Sequence, residues 1–473
     1  MSGLIAGIIG GLVVSLLSGS QLSVSGPAAG LTAICATAIV QTGSFEIFLL
    51  SIALAGIFQI LLGVFKLGGF THLIPSSVIK GMLAAIGLLL ISKQVPLILG
   101  YNQPYFWTIE LFNIFTFDHS IQHIKNIYNN ISAGAIIISI IGFSVLFGWK
   151  KYVAQKIPFV PASFIAVLIC SLLAITFENI SILKLNSQNF VSIPTDVLSH
   201  IHTPSWRNAI DFALVFKYAV IVTFVASLET LLGLEAIDKL DPQNRITPHN
   251  RELIAQGCGN FLSGMIGGLP ITAVIVRASA NVEAGAHTKL SAFAHGFWLL
   301  LILLAAIPLV NHIPYCILAV ILLRTGYNLS KPAMIRQVYK QGREQFLPFI
   351  VTVIAVLITD LLIGVLIGIA FSIYFLVRHT YRAGFTVKEK ADGHMRHFYI
   401  GLALNVSFLN KKKIKTLLDN IPSYSIVEID GSDSVYIDHD ILEIFQEFRS
   451  KAHQRHIQLV MKEIPEVQII ELH

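Results

Sequence analysis

The stretch Gln21–Val40, QLSVSGPAAGLTAICATAIV, decides how the rest of the chain is read. It opens polar, turns at Gly26-Pro27 and then runs apolar. Proline lacks an N–H and fits the first turn of a helix, so a helix is expected over 27–41, starting near Pro27. Its apolar part, Ala28–Val40, holds about thirteen residues, short of the ~20 that cross a bilayer core. A short apolar segment with a polar, Gly/Pro-broken entrance is the pattern of a discontinuous transporter helix. Such a helix puts free backbone N–H groups and a positive dipole end inside the membrane, which suits an anion.

Gly267–Val282, GGLPITAVIVRASANV, repeats the design, with a short helix expected over 270–283. The landmarks around the two stretches repeat as well. Phe70-Thr-His-Leu-Ile-Pro75 and Val310-Asn-His-Ile-Pro314 each open a long apolar helix, at an offset of 239 residues (314 − 75). Pro27 and Pro270 are 243 apart (270 − 27). Two structural repeats follow, each with one broken helix and one long, Pro-started helix.

Of the 473 residues, 54% are hydrophobic and only 13% charged, and the mean hydropathy is +0.72. Soluble domains carry roughly 25% charged residues, so this is a polytopic membrane protein. The net charge of +6 is explained by cytoplasmic loops rather than by nucleic acid. Cys35, Cys170, Cys258 and Cys316 sit in apolar stretches at unrelated spacing and read as small hydrophobes, neither disulfides nor metal ligands. The scattered histidines show no ligand spacing. Leu4–Leu17 has no basic flank or cleavage site and reads as a membrane helix, not a signal peptide.

Thirteen helices are expected: 3–18, 27–41, 45–65, 74–95, 132–149, 158–177, 212–236, 251–266, 270–283, 288–308, 313–329, 346–360 and 362–380. Lys150 and Lys151, Lys239 and Arg245, and Lys331 and Arg336 mark cytoplasmic loops, which places the C-terminus inside and Met1 outside. The transmembrane domain is set at 1–382. Residues 383–473 change composition. Strands are expected over Tyr399–Phe408, Ser425–Asp430 and Ile457–Val460, and helices over Lys411–Asn420 and Asp438–Ser450, a small cytoplasmic α/β domain.

The blocks QLSVSGPAAGLTAI and SLETLLGLEAIDKLDPQNRITPHNRELIAQGCGNFLSGMIGGLPITAVIVRASANVEAGAHTKLSAF resemble the sulfate-permease (SulP, solute carrier 26) family of anion transporters. The tail, with Val427-Glu-Ile-Asp-Gly-Ser432 and Tyr436-Ile-Asp-His-Asp440, resembles that family's STAS domain. The resemblance implies two inverted seven-helix repeats, split into core and gate domains, usually in a homodimer at the cell (inner) membrane. It places the substrate, a small anion, between the two broken helices and has the core move against the gate. The first helix here matches the family's second, so the family's first has no counterpart. Where related signalling domains carry a phosphorylatable Asp-Ser-Ser, this chain has Asp438-His439-Asp440.

Ser25, Gly26, Pro27 and Ala28 mark one broken-helix entrance, and Thr272, Ala273, Val274 and Ile275 the other. Their small or apolar side chains leave backbone amides to bind an anion. Arg277 either adds positive field there or pairs with Glu229. Glu229, in the apolar run Phe224–Leu232, is a functional candidate because a carboxylate in hydrocarbon is costly. The resemblance makes it the coupling acid, for H+ or Na+, with Ser227 and Thr230 as neighbours. Secondary transport of sulfate, bicarbonate or a dicarboxylate leads. The alternatives are an uncoupled anion conductor and a non-transporting scaffold or sensor. No nucleophile–base set or metal cluster offers an enzyme reading, and no cofactor beyond the coupling ion is implied.

Overall fold

The structure is a computed structural model that describes residues 1–27, 30–69, 74–101, 130–153, 160–194, 201–205, 212–382, 384–392 and 395–465. It divides into two compact units, 1–369 and 370–473.

In the first unit one order of elements occurs twice. Helix α1 (Ser2–Leu17) leads to strand β1 (Ser25–Pro27), short helix α2 (Thr32–Thr42), α3 (Phe45–Val64) and α4 (Ser76–Ile98). Later, α7 (Phe212–Leu240) precedes α8 (His249–Ile266), strand β2 (Ile271–Ala273), short helix α9 (Ile275–Glu283), α10 (Leu290–Ala305) and α11 (Tyr315–Leu329). The long fourth helix of each series is capped by its proline, Pro75 or Pro314. Between the series lie α5 (Ala133–Gly148) and α6 (Ala162–Phe177), and after them α12 (Pro332–Lys340), α13 (Arg343–Ile358) and α14 (Leu361–Arg382). Each of the thirteen expected segments has its helix. The amphipathic α12 was not expected.

Among the described residues, five helices are long and apolar enough to cross a membrane, and three shorter apolar helices accompany them. On α14 only 17% of the apolar window is buried, and Leu366 and Leu376 are 49% and 66% exposed. Such a surface is stable against hydrocarbon, not water. Helix starts carry local caps: Ser44 Oγ accepts the Ile47 N–H at 3.2 Å at the head of α3. Inside the unit, Leu31, Phe48, Ile52 and Val222 join α2, α3 and α7 in one apolar cluster. Ile138, Cys170, Ile317 and Val320 join α5, α6 and α11 in another.

The second unit holds a four-stranded sheet in the order β3 (Phe385–Asp392), β4 (Met395–Leu402), β6 (Ile426–Asp430), β8 (Gln458–Lys462). The first pair is antiparallel and the other two are parallel. Asn405–Val406 (β5) pairs with Tyr436–Ile437 (β7). Helices α15 (Lys411–Asp419) and α16 (His439–Gln454) follow the sequence expectation to within a few residues. Ile441, Leu442, Ile444 and Phe445 of α16 are buried, each contributing about 1.5–3 kcal/mol. The strand expected over 399–408 is instead 395–402 plus 405–406, and β3 was not expected. Its alternating Lys388, Glu389 and Lys390 hide the apolar signal.

Candidate functional site

Strands β1 and β2 pair antiparallel, with Ser25 opposite Ala273, Gly26 opposite Thr272 and Pro27 opposite Ile271. This corrects the expectation that helices start at Pro27 and Pro270. Helix α2 starts at Thr32 and α9 at Ile275, each five residues later (32 − 27 and 275 − 270). The reason lies in the pairing itself, which holds residues 25–27 and 271–273 extended and so delays each helix start. Extended backbone inside a membrane must find hydrogen-bond partners within the protein. Each broken stretch supplies the other's. The expected entrance residues therefore divide: Ser25, Gly26, Pro27, Thr272 and Ala273 are strand, Val274 is the N-cap of α9, and Ile275 is its first helical residue. Ala28 lies outside the described residues.

The strand pair is held from α8 and α7. Glu252, Gln256 and Asn260 recur every four residues along α8, and each is 0% exposed. Asn260 Oδ1 accepts the Ile271 N–H at 2.6 Å, and its Nδ2 donates to the Ile271 carbonyl at 3.0 Å. The carboxamide thus pairs with β2 as a third strand would. Asn260 Nδ2 also donates to Gln59 Oε1 at 2.7 Å, and Gln59 Nε2 donates to Ser227 Oγ at 3.2 Å. Gln256 Nε2 donates to Ser25 Oγ at 2.7 Å and to Glu252 Oε1 at 3.0 Å. The Ser18 hydroxyl donates to the other oxygen of Glu252. From α7, Thr230 Oγ1 accepts the Ala273 N–H at 3.4 Å. The Val274 N–H donates to the Val24 carbonyl at 3.1 Å. Ser227 and Thr230 are thus tied to the frame around the strands.

Two charges stand beside this frame. Arg277, in the first turn of α9, is half-buried and makes no hydrogen bond or ion pair among the described residues. Its guanidinium lies against the Gly26 backbone, where any Cβ would collide with it. Glu229, on α7, is also half-buried. It faces the Gly30 backbone, with which it hydrogen-bonds. A Cβ on Gly30 would stand 3.1 Å from Glu229 Oε2, an oxygen with no hydrogen-bond partner. Of the two readings of Arg277, pairing with Glu229 is not what the structure forms. Among the described residues, neither α2 nor α9 has a side-chain hydrogen bond from its N-cap residue. The Thr272 hydroxyl, 0% exposed, has no hydrogen-bond partner either. The guanidinium and the carboxylate thus face different glycines of the first broken stretch, Gly26 and Gly30.

Gln59, Glu252, Gln256 and Asn260 were missed from the sequence. The signal was present: polar residues four apart in Arg251–Ile266 fall on one face of a membrane helix.

Residues 1–352 match the sulfate permease family. The chain is 28% identical over 333 residues to the putative sulfate transporter YvdB of Bacillus subtilis, covering 70% of this chain and 59% of that one. It is 24% identical over 372 residues to the bicarbonate transporter BicA of Synechocystis, covering 76% of this chain and 61% of that one. It therefore spans about six tenths of the length of these curated relatives. Its fold is similar to that of the murine solute carrier 26 member A9 anion transporter in the inward-facing state, with a TM-score of 0.63, 15% identity, and 98% of this chain and 81% of that chain covered. The C-terminal sheet with its two helices is consistent with a STAS domain. Matched over residues 1–352 and built on that fold, the chain is a multi-pass membrane protein that belongs to the sulfate permease family.

Proposed function

We propose that this protein is a secondary transporter of a small anion such as sulfate, bicarbonate or a dicarboxylate. The observation that carries the reading is Arg277. It is a cation without a hydrogen bond or ion pair among the described residues, set beside the Gly26 backbone where the β1–β2 pair joins the two broken stretches. A positive charge beside the start of a broken helix is matched by an anion. The names of the relatives support the same class of cargo.

In this reading the anion sits at Ser25–Ala28 and Thr272–Ile275 and is carried as the core moves against the gate. Glu229 faces backbone rather than a cation, so a proton or Na+ neutralises it and couples its movement to the anion's. Residues 1–382 form the transport domain in the cell (inner) membrane, working as a homodimer. Residues 383–473 form the cytoplasmic STAS-like domain.

The test is uptake of labelled sulfate, bicarbonate and fumarate into proteoliposomes. Concentrative uptake of one of them is expected. Arg277→Gln should raise its KM roughly 10- to 100-fold, as loss of a charge-assisted hydrogen bond of ~1.5–3 kcal/mol would. Folded protein that neither binds nor carries any of the three would sink the proposal.

A further inference from the structure

Lys331–Arg343, KPAMIRQVYKQGR, holds four cations and no acid, and the first acid beyond it is Glu344. Its middle is α12, 9 residues that join the end of α11 to the start of α13. At 1.5 Å per residue that helix is about 14 Å long, far less than a hydrocarbon core of about 30 Å, so it stays at the membrane face where α11 ends.

One side of α12 is fixed by packing. Val338 is 0% exposed, and Met334 and Ile335 lie on the same apolar cluster, together with Phe346 and Phe349 of α13 and Met82 of α4. At about 100° per residue, Arg336 and Lys340 project opposite Val338, with Tyr339 beside them. All three are exposed, Tyr339 by 66%, and the Tyr339 ring meets Phe346 edge-on at 5.1 Å. Lys331, Arg336, Lys340 and Arg343 are exposed and make no hydrogen bond or ion pair among the described residues. Lys331 is the N-cap of α12 and Arg343 the first residue of α13. A cation at a helix N-terminus is unfavourable, whereas an anion there is matched.

We infer that this face of α12 seats on the anionic phospholipid headgroups of the leaflet in which it lies. Position selects that partner first, because both ends of α12 are tied to helices of the membrane unit and hold it at headgroup depth. Charge selects it next, since the negative surface of a leaflet attracts clustered Lys and Arg beside a membrane helix. The exposed tyrosine completes the match: its ring enters the apolar edge of the interface while its hydroxyl stays wet. A loop facing only water has use for the charges but not for the ring. The inference does not depend on what the protein carries.

The test is lipid binding by the full chain, delipidated in detergent and titrated with dioleoyl phosphatidylglycerol, with bound lipid counted by native mass spectrometry. Phosphatidylglycerol should bind at least about tenfold more tightly than dioleoyl phosphatidylcholine. The triple variant Arg336→Gln, Lys340→Gln, Arg343→Gln should lose about 10- to 100-fold in phosphatidylglycerol affinity and nothing for phosphatidylcholine. Tyr339→Ala should weaken binding several-fold with the charge unchanged. Phosphatidylglycerol should also raise the thermal unfolding temperature of the wild-type chain and not that of the triple variant, which shows that the variant is folded and blind to the lipid. A matched neutralisation on the C-terminal unit, Lys388→Gln, Lys390→Gln, Lys415→Gln, should change none of this. An equal loss there overturns the inference, because net charge would then explain the binding. Displacement of the lipid by millimolar inorganic phosphate overturns it too, in favour of a free-anion site. Wild-type affinity in the triple variant overturns it outright.

Discussion

In the membrane unit, Arg277 of α9 and Glu229 of α7 each face a glycine of the first series, Gly26 and Gly30. On the sheet of the C-terminal unit, charges are instead met by side chains. Ser432 Oγ donates to Asp430 Oδ1 at 2.6 Å and Tyr399 Oη to Asp430 Oδ2 at 2.6 Å, which holds that carboxyl down at about 2. Lys462 forms an ion pair with Glu428, which raises its pKa. Water would screen the second group even without partners. The first group is half-buried, so water screens it less, and in the proposed reading the anion and the coupling ion supply its counter-charges. One half of the site supplies the charge and the other supplies the space.

That contrast breaks first at Gly26. Gly26→Val would place carbon where the guanidinium lies, and uptake should fall roughly 100-fold, at least as far as with Arg277→Gln. If Gly26→Val transports normally, the glycine is not a seat for Arg277. Next comes the frame. Asn260→Leu leaves the buried N–H and carbonyl of Ile271 unpaired, at about 1–3 kcal/mol each. Thermal unfolding in detergent should begin well below wild type, and uptake should fall with it. A variant of normal stability would show that β2 does not depend on α8.

A more selective effect is expected at Glu229. Glu229→Gln keeps the shape against Gly30 and removes the charge. Anion binding should persist, while uptake loses its dependence on an imposed proton or Na+ gradient. Full gradient-driven accumulation by the variant would exclude Glu229 as the coupling acid. The smallest effect belongs to the solvated sheet. Asp430 has its pKa lowered on folding, so its contribution to stability is present above the ordinary carboxylate range and is lost as pH falls through about 2. Asp430→Asn should therefore be slightly less stable than wild type at pH 7 and equal to it in strong acid. A constant gap at all pH values would refute this.

Much of this arrangement was legible in the residues, for identifiable reasons. Gly26-Pro27 and Gly268-Leu-Pro270 interrupt apolar runs too short to cross a bilayer, and the repeated His-x-Pro and His-Leu-Ile-Pro openings fixed the two series. The apolar face of α16 follows helical periodicity. The strand pair was hidden because three residues are too few to show alternation, and Ser25-Gly26-Pro27 has little β-propensity besides. Their extended form is imposed by a partner some 250 residues away (273 − 25 = 248), which no local window contains. The α8 stripe was visible as spacing, but its meaning depends on Ile271 and Ser25 being opposite it.

The β1–β2 pairing also sets a clock. A chain grows at roughly 5–20 residues per second, so β1 waits roughly 12–50 s for the residues it pairs with. During that time the backbone of Ser25–Pro27 lacks the partner that holds it extended. It must be sheltered by the insertion machinery, by borrowed contacts or by water held at its edge. Slowing translation between the two halves lengthens that exposure, so the yield of intact protein should depend on the pace of synthesis as well as on the stability of the finished fold.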